Sequence, residues 1–158
     1  MRYAGLKVND ATNCGQGICV SFWTQGCPHH CIGCHNPETW DFEGGLSLPV
    51  DIEDQIYNAI VANGIKRNFS ILGGEPLCDE NLELTARVAS FVRESFPHIT
   101  ICVWTGYLYE DLKAKNNELI NDIFSKINIL VDGPFDLSQR DITLKLRGSA
   151  NQRVICLS

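Results

Sequence analysis

The sequence has 158 residues, 44% of them hydrophobic and 20% charged, which is the composition of an ordinary folded domain and excludes a disordered chain. Thirteen Lys and Arg against nineteen Asp and Glu leave a formal charge of −6, which argues against nucleic acid as a partner, because phosphate contacts need clustered cations. No apolar run approaches the roughly 20 residues that span a bilayer, and Met1-Arg2-Tyr3-Ala4-Gly5-Leu6-Lys7 lacks the apolar centre of an export signal. A single cytoplasmic domain over residues 1–158 is expected, with no membrane partner.

Gly17 to Trp23 reads as a buried strand through Ile18, Val20, Phe22 and Trp23. Residues 24 to 49 hold Cys, Pro, Gly and His with little periodicity; a loop of that length in a small domain is usually functional. Asp51 to Asn63 reads as a helix, since Ile52, Ile56 and Ile60 recur at i+4 and Gly64 follows as a stop. Phe69 to Leu72 is a short strand ending in Gly73-Gly74-Glu75-Pro76, and Asn81 to Glu94 is a second helix closed by Pro97. Ile99 to Trp104 is a third strand ending in Thr105-Gly106, and a helix or broken helix runs from Tyr109 to Phe124. Ile127 to Val131 is a fourth strand ending in Asp132-Gly133-Pro134, and two strand-like runs follow, Ile142 to Leu146 and Arg153 to Leu157.

Strand and helix alternate, which predicts an α/β fold with a mostly parallel sheet and right-handed crossovers. A complete β/α barrel needs about 250 residues, so a partial, open barrel is expected. In parallel α/β folds the site lies at the carboxyl ends of the strands. Strand order alone therefore brings the cysteine-rich loop, Gly73–Pro76, Trp104–Tyr107 and Asp132–Phe135 to one edge.

Eight cysteines are the compositional outlier. Without an export signal they are expected as thiols or metal ligands rather than disulfides. Cys27, Cys31 and Cys34 lie in C-x3-C-x2-C spacing, so three thiolates can wrap one metal centre. Iron–sulfur clusters are held by cysteine thiolates, and three protein ligands on a four-iron cube leave one iron open. Zinc, with His29, His30 or His35 as fourth ligand, is the competing reading, and chance clustering a weaker one. Cys102 and Cys156 fall in apolar strands and read as buried thiols. Cys14 and Cys19 lie near the first strand, and Cys78 just past Gly73–Pro76, without an assigned role. Trp40 reads as a packing anchor for the cysteine loop, His98 as a surface residue, and Arg140 and Lys145 as a solvated face.

C-x3-C-x2-C after one strand and Gly73-Gly74-Glu75-Pro76 after the next resemble the radical S-adenosylmethionine superfamily. Within it, Gly26 to Trp40, Val131-Asp132-Gly133-Pro134-Phe135 and Arg147 to Arg153 are similar to the activases of anaerobic ribonucleoside-triphosphate reductase. The resemblance implies a radical SAM-like partial barrel and a 4Fe-4S cluster on Cys27, Cys31 and Cys34. It implies S-adenosylmethionine as cofactor, held by Gly33, Cys34, His35, Gly73, Gly74 and Glu75, with the methionine amine at Gly73–Glu75; Thr105, after the third strand on the same edge, reads either as a contact to its ribose or carboxylate or as a capping turn before the next helix. The chemistry implied is reductive cleavage of S-adenosylmethionine and formation of a glycyl radical on a loop of the reductase, with flavodoxin or ferredoxin as electron donor. No catalytic residue beyond the cluster and S-adenosylmethionine is required. Many superfamily members carry an aromatic residue just before the third cysteine; Gly33 stands there, so the adenine contact falls to His35 or to backbone around Gly33. For Arg147 to Arg153 the resemblance comes without a mechanism, beyond a possible contact of Arg147 or Arg153 with an anionic group or the partner. Activation of another glycyl-radical enzyme, radical chemistry on a small molecule such as a deazapurine precursor, and a non-enzymatic zinc or iron–sulfur module remain as alternatives.

Overall fold

A computed structural model describes all residues, 1–158. In chain order the elements are β1 (Arg2–Asp10), β2 (Cys19–Thr24), β3 (Leu46–Ser47), α1 (Ile52–Ile60), β4 (Asn68–Gly73), α2 (Asp79–Ser95), β5 (Ile101–Trp104), α3 (Tyr109–Ala114), α4 (Glu118–Lys126), β6 (Ile129–Asp132) and β7 (Arg153–Cys156). They form one open sheet in the order β3-β1-β2-β4-β5-β6-β7. The run β2-β4-β5-β6 is parallel, as alternation predicts. The outer pairings β1-β2, β1-β3 and β6-β7 are antiparallel. The sheet is therefore mixed rather than mostly parallel. The difference arises at its two edges, where the chain adds strands without crossover helices.

Period-two alternation divides the strands between two faces. Val20, Phe22, Phe69, Ile71, Ile101, Val103 and Leu130 point to one side and join the main core. Helix α1 meets them with Ile52, Ile56 and Ile60, α2 with Val88, Ala89 and Val92, and α4 with Ile120 and Ile123. The opposite face carries Ser21, Ser70 and Cys102, all fully buried. It is covered at the amino ends of the strands by the β1–β2 connection, which lays the Gly15 backbone against Thr100, Cys102 and Ile129. Buried Arg67 ties the end of α1 to the segment that follows it, donating from Nη1 to the carbonyls of Ala59, Ala62 and Ile65 at 2.8–3.2 Å. No helix is long and apolar enough to cross a membrane.

Strand β1 has no counterpart in the sequence reading, because two register shifts against β2 break its alternation. The anticipated strand at Ile142–Leu146 does not form. Asp141 takes the backbone N–H and the hydroxyl of Thr143 on one carboxylate oxygen, which curls the segment into a turn instead. Only an isolated bridge, Arg140 to Ser149, joins its flanks. Cys156 is exposed rather than buried, because β7 is an edge strand with three of its four residues open to solvent. Cys102 is buried, and burial raises its thiol pKa well above the usual range.

Cys14 and Cys19 form a disulfide, with Cα atoms 5.6 Å apart, where thiols were expected. The cause is local. The buried Asp10 carboxylate accepts the backbone N–H groups of Thr12 and Asn13 and the Ser21 hydroxyl, folding the connection back onto β2. Burial alone would raise the Asp10 pKa, but these bonds and that of the Asn13 side chain together hold it below the usual value. Denatured without reductant, the chain should titrate six thiols with a chromogenic disulfide reagent, matching the six free cysteines, and eight after reduction.

Arg153 joins β7 to β6 and α3. Its Nε donates to Asp132 Oδ1 at 3.0 Å, and Nη1 and Nη2 form a fork with Glu110 at 2.8 and 2.7 Å. Asp132 is fully buried and also accepts the Tyr109 backbone N–H, so Arg153 completes a buried charge rather than reaching for a ligand. Hydrogen bonds from Arg153 lower the Glu110 pKa from 4.5 to about 2. A depressed carboxylate stabilises the fold above its unfolded pKa and loses that contribution as pH falls through the folded one. The stability difference between wild type and Glu110→Gln should therefore be constant above about pH 5, then shrink from pH 4.5 toward 2, read from urea midpoints. Asp132→Asn should cost about 2 kcal/mol at neutral pH in the same assay, since it removes the ionised acceptor of a buried hydrogen-bonded pair.

Candidate cofactor site

The loops that follow β2, β4, β5 and β6 meet at one edge of the sheet around a cavity of about 200 Å³. Cys27, Cys31 and Cys34 form one wall, all three free and partly exposed. Gly73, Gly74 and Glu75 form the next, followed by Trp104, Thr105 and Gly106, then Gly133 and Phe135. This is the convergence that strand order predicts.

The cysteine loop is closed by its own backbone. Gly26 N–H donates to Thr39 O at 2.7 Å and Cys27 N–H to Trp40 O at 3.1 Å, so residues 27–38 leave and return at one point. Gln25 braces that base by donating to the carbonyls of Glu38 and Asp41. Asn81, at the start of α2, donates to the carbonyls of Gln25, Gly26 and Glu75 and so fastens this loop to the one after β4. Inside the loop, Asn36 N–H donates to Cys34 Sγ at 3.4 Å. Burial pushes the Cys27 thiol pKa up, and the backbone N–H of His29 pulls it partway back. His30 stacks on Trp40 with centroids 4.6 Å apart, which accounts for Trp40 as an anchor, and His29 is bound to Glu75. His35 stands 5.6 Å from Phe135. Three soft sulfur donors on a wall shared with open cavity suit an iron–sulfur cluster, and each neighbouring imidazole has an engagement of its own.

The Glu75 carboxylate is bonded within the protein on both oxygens. Oε1 accepts Leu77 N–H at 2.9 Å and the Thr105 hydroxyl at 2.7 Å, while Oε2 accepts His29 Nε2–H and Gly106 N–H, both at 2.7 Å. Glu75 and Thr105, both expected as cofactor contacts, line the cavity and bond within the protein, Thr105 to Oε1 and His29 and Gly106 to Oε2. The reason is burial: Glu75 is 1% exposed, and a carboxylate shut from water needs donors on every lone pair. On this wall a backbone acceptor remains for a ligand, since the Gly74 carbonyl receives no hydrogen bond from the chain. Gly74 lacks a side chain for a reason the sequence does not display. A Cβ there would lie 2.4 Å from the Gly26 carbonyl oxygen, so the close approach is to the cysteine loop rather than to a ligand.

Gly33 does not line the cavity. It has φ +79°, and a Cβ would meet Leu137 at 2.9 Å and Phe135 at 3.3 Å, so it lets the cysteine loop pass beneath the segment after β6. Cys78 is buried with its thiol donating to Glu75 O, and burial raises its pKa to about 12, which leaves it inert.

Two further wall residues are not among the sequence candidates: Asn13 lies outside every motif, and Gln152 belongs to the Arg147–Arg153 segment, to which the sequence gives no mechanism. Asn13 reaches the cavity from the β1–β2 connection, its amide held by Asp10. Gln152 reaches it from the tail, accepting Gly148 N–H and Ser149 N–H and donating to Gly133 O. Arg147 donates to Gln152 O. Arg147 to Arg153 thereby has a mechanism: it folds over the end of β6 and closes the far side of the cavity.

The family described as a 4Fe-4S single cluster domain matches residues 13–155, which defines the class as a domain built to carry one iron–sulfur cluster. Curated proteins named anaerobic ribonucleoside-triphosphate reductase-activating protein are similar over nearly the full length. That of Escherichia coli is 36% identical over 98% of this chain and 97% of its own. Those of Pasteurella multocida and Haemophilus influenzae are 35% and 34% identical, each over 96% of this chain and 95% and 96% of their own. The chain belongs to the family of anaerobic ribonucleoside-triphosphate reductase-activating proteins.

Gly74→Ala should destabilise the chain by about 2 kcal/mol or more, the cost of forcing a methyl group into packed surroundings. A urea midpoint measures the loss; an unchanged midpoint would show that the two loops are not locked at Gly26.

Proposed function

We propose that this chain is a radical S-adenosylmethionine activase acting on anaerobic ribonucleoside-triphosphate reductase. In this reading Cys27, Cys31 and Cys34 hold a 4Fe-4S cluster and S-adenosylmethionine binds beside it. The observation that carries the reading is the shared cavity: three free thiols on one wall, and on the next a glycine pair with the Gly74 carbonyl unpaired. A carbonyl acceptor suits the amine of the methionine moiety, and the aromatic pair His35 and Phe135 suits a purine ring at the mouth. Gly73 contributes backbone; Glu75 and Thr105 hold the wall in place by bonding to each other, and Gly33 lets the cysteine loop pass beneath the segment after β6.

Held by Cys27, Cys31 and Cys34, a reduced cluster would supply the one electron needed for reductive cleavage of S-adenosylmethionine, whose products with a glycine of the partner would be methionine, 5′-deoxyadenosine and a glycyl radical. The chain's residues bind, orient and exclude water, and no acid–base pair is needed. The names of the relatives support the choice of partner. An open sheet whose cavity lies at a free edge suits a glycine carried on a protein loop. A flavodoxin or ferredoxin is the reductant class the chemistry requires.

The test is anaerobic. Reconstituted and reduced protein is mixed with S-adenosylmethionine and the reductase from the same source. A glycyl-radical doublet by electron paramagnetic resonance with 5′-deoxyadenosine in the same tube is expected. 5′-Deoxyadenosine without a doublet would keep the chemistry and discard the partner. Neither product from iron-replete protein would overturn the reading in favour of a binding module. Cys27→Ala, Cys31→Ala and Cys34→Ala should each lose bound iron and both products; a variant that kept its cluster would remove that residue from the ligand set.

A further inference from the structure

His29 lies between two of the three cysteines, and its ring turns inward to Glu75 at 2.7 Å, with side-chain exposures of 19% and 1%. An ionised carboxylate can only accept, so the imidazole Nε2 carries the hydrogen and donates it. Tyr107 meets the same ring edge-on, with centroids 4.5 Å apart. From the other side the β5 loop leaves room only for this ring: a Cβ on Gly106 would fall 2.6 Å from His29 Cδ2. The next residue, His30, has φ +48°, a left-handed conformation that a bulky side chain adopts only when its surroundings hold it there. It is held on both sides, by the His29 anchor before it and by its own stack on Trp40.

We propose that His29 is a positioning residue: by donating Nε2–H to Glu75 it sets the three-cysteine loop at a fixed height against the loops after β4 and β5. Asn81 and the Glu75 N–H to Gly26 O bond join the same loops at their base; the His29 bond adds the tie on the cysteine side and so helps to fix the distance between the cysteine wall and the Gly74 carbonyl. The inference rests on the proposed function only for what that distance serves, which is to let one ligand reach both walls. The hydrogen bond stabilises an arrangement; the three thiols alone suffice to capture iron.

The test compares His29→Ala, His29→Gln and Gly106→Ala with wild type, all carrying reconstituted cluster. Gln keeps an N–H donor at similar reach; Gly106→Ala leaves His29 in the chain but displaces its ring. Iron and sulfide contents should match wild type throughout. Amide exchange over residues 27–35 and at Gly106, whose N–H shares Glu75 Oε2 with His29, should quicken in His29→Ala and Gly106→Ala and return toward wild type in His29→Gln. Affinity for S-adenosylmethionine, read from its effect on the spectrum of the reduced cluster, should fall about 10- to 100-fold in the first two variants, the usual cost of losing a group that orients metal ligands, and largely recover in His29→Gln. Unchanged exchange and affinity in His29→Ala would overturn the proposal, as would His29→Gln behaving no better than His29→Ala. Loss of iron in His29→Ala that Gln does not restore would also overturn it, in favour of a ligand role. If wild type shows no spectral response to S-adenosylmethionine, the functional reading fails, and the exchange data still decide the role of His29. Should His29→Ala not fold, Gly106→Ala supplies the same comparison.

Discussion

The Glu75 carboxylate is the constraint on which the site depends. It sits almost fully buried at the end of β4 and takes four donors from three stretches of chain: its own turn, the cysteine loop and the loop after β5. Withdrawing a carboxylate from water is costly unless hydrogen bonds replace the hydration it loses. Satisfying it therefore forces three loops into a single relative position. Asn81 repeats the device one layer below, joining three backbone carbonyls of the same two loops with one amide. The cavity is the space these buried polar groups leave behind. Its shape follows from the satisfaction of acceptors rather than from side chains reaching for a ligand.

That division of labour explains why polar side chains at this edge are spent on the protein while backbone is left open. Thr105 and Glu75 bond to each other, and Gly74 keeps an unpaired carbonyl. A backbone acceptor held between two packed loops has little freedom to lose when a ligand arrives, which is the advantage of preorganisation. The arrangement also accounts for the close packing at Gly74, whose missing side chain brings two loops into backbone contact.

Much of this was legible in the residues. Strand and helix alternation predicted the parallel run β2-β4-β5-β6 and the meeting of four loops at one edge, because both follow from connectivity. The cysteine spacing marked one wall. Four features were not legible. Strand β1 was hidden by its two register shifts, and the edge strands made the sheet mixed. The turn at Asp141 depends on a local side-chain bond that apolar periodicity ignores. The internal bonding of Glu75 is a matter of burial, which a motif does not encode: Gly73-Gly74-Glu75-Pro76 names residues suited to a ligand without saying which atoms are already occupied. Asn13 and Gln152 come from opposite ends of the chain and carry no spacing that could have paired them with the cysteines.

The β1–β2 connection has one more consequence. Stapled by Cys14–Cys19 and pressed over Thr100, Cys102 and Ile129, it blocks the trough of the sheet from below and presents Asn13 as the bottom of the cavity. Depth is thereby uncoupled from the rim. A longer or shorter connection would raise or lower the bottom of the well without altering a single residue of the four loops around its mouth.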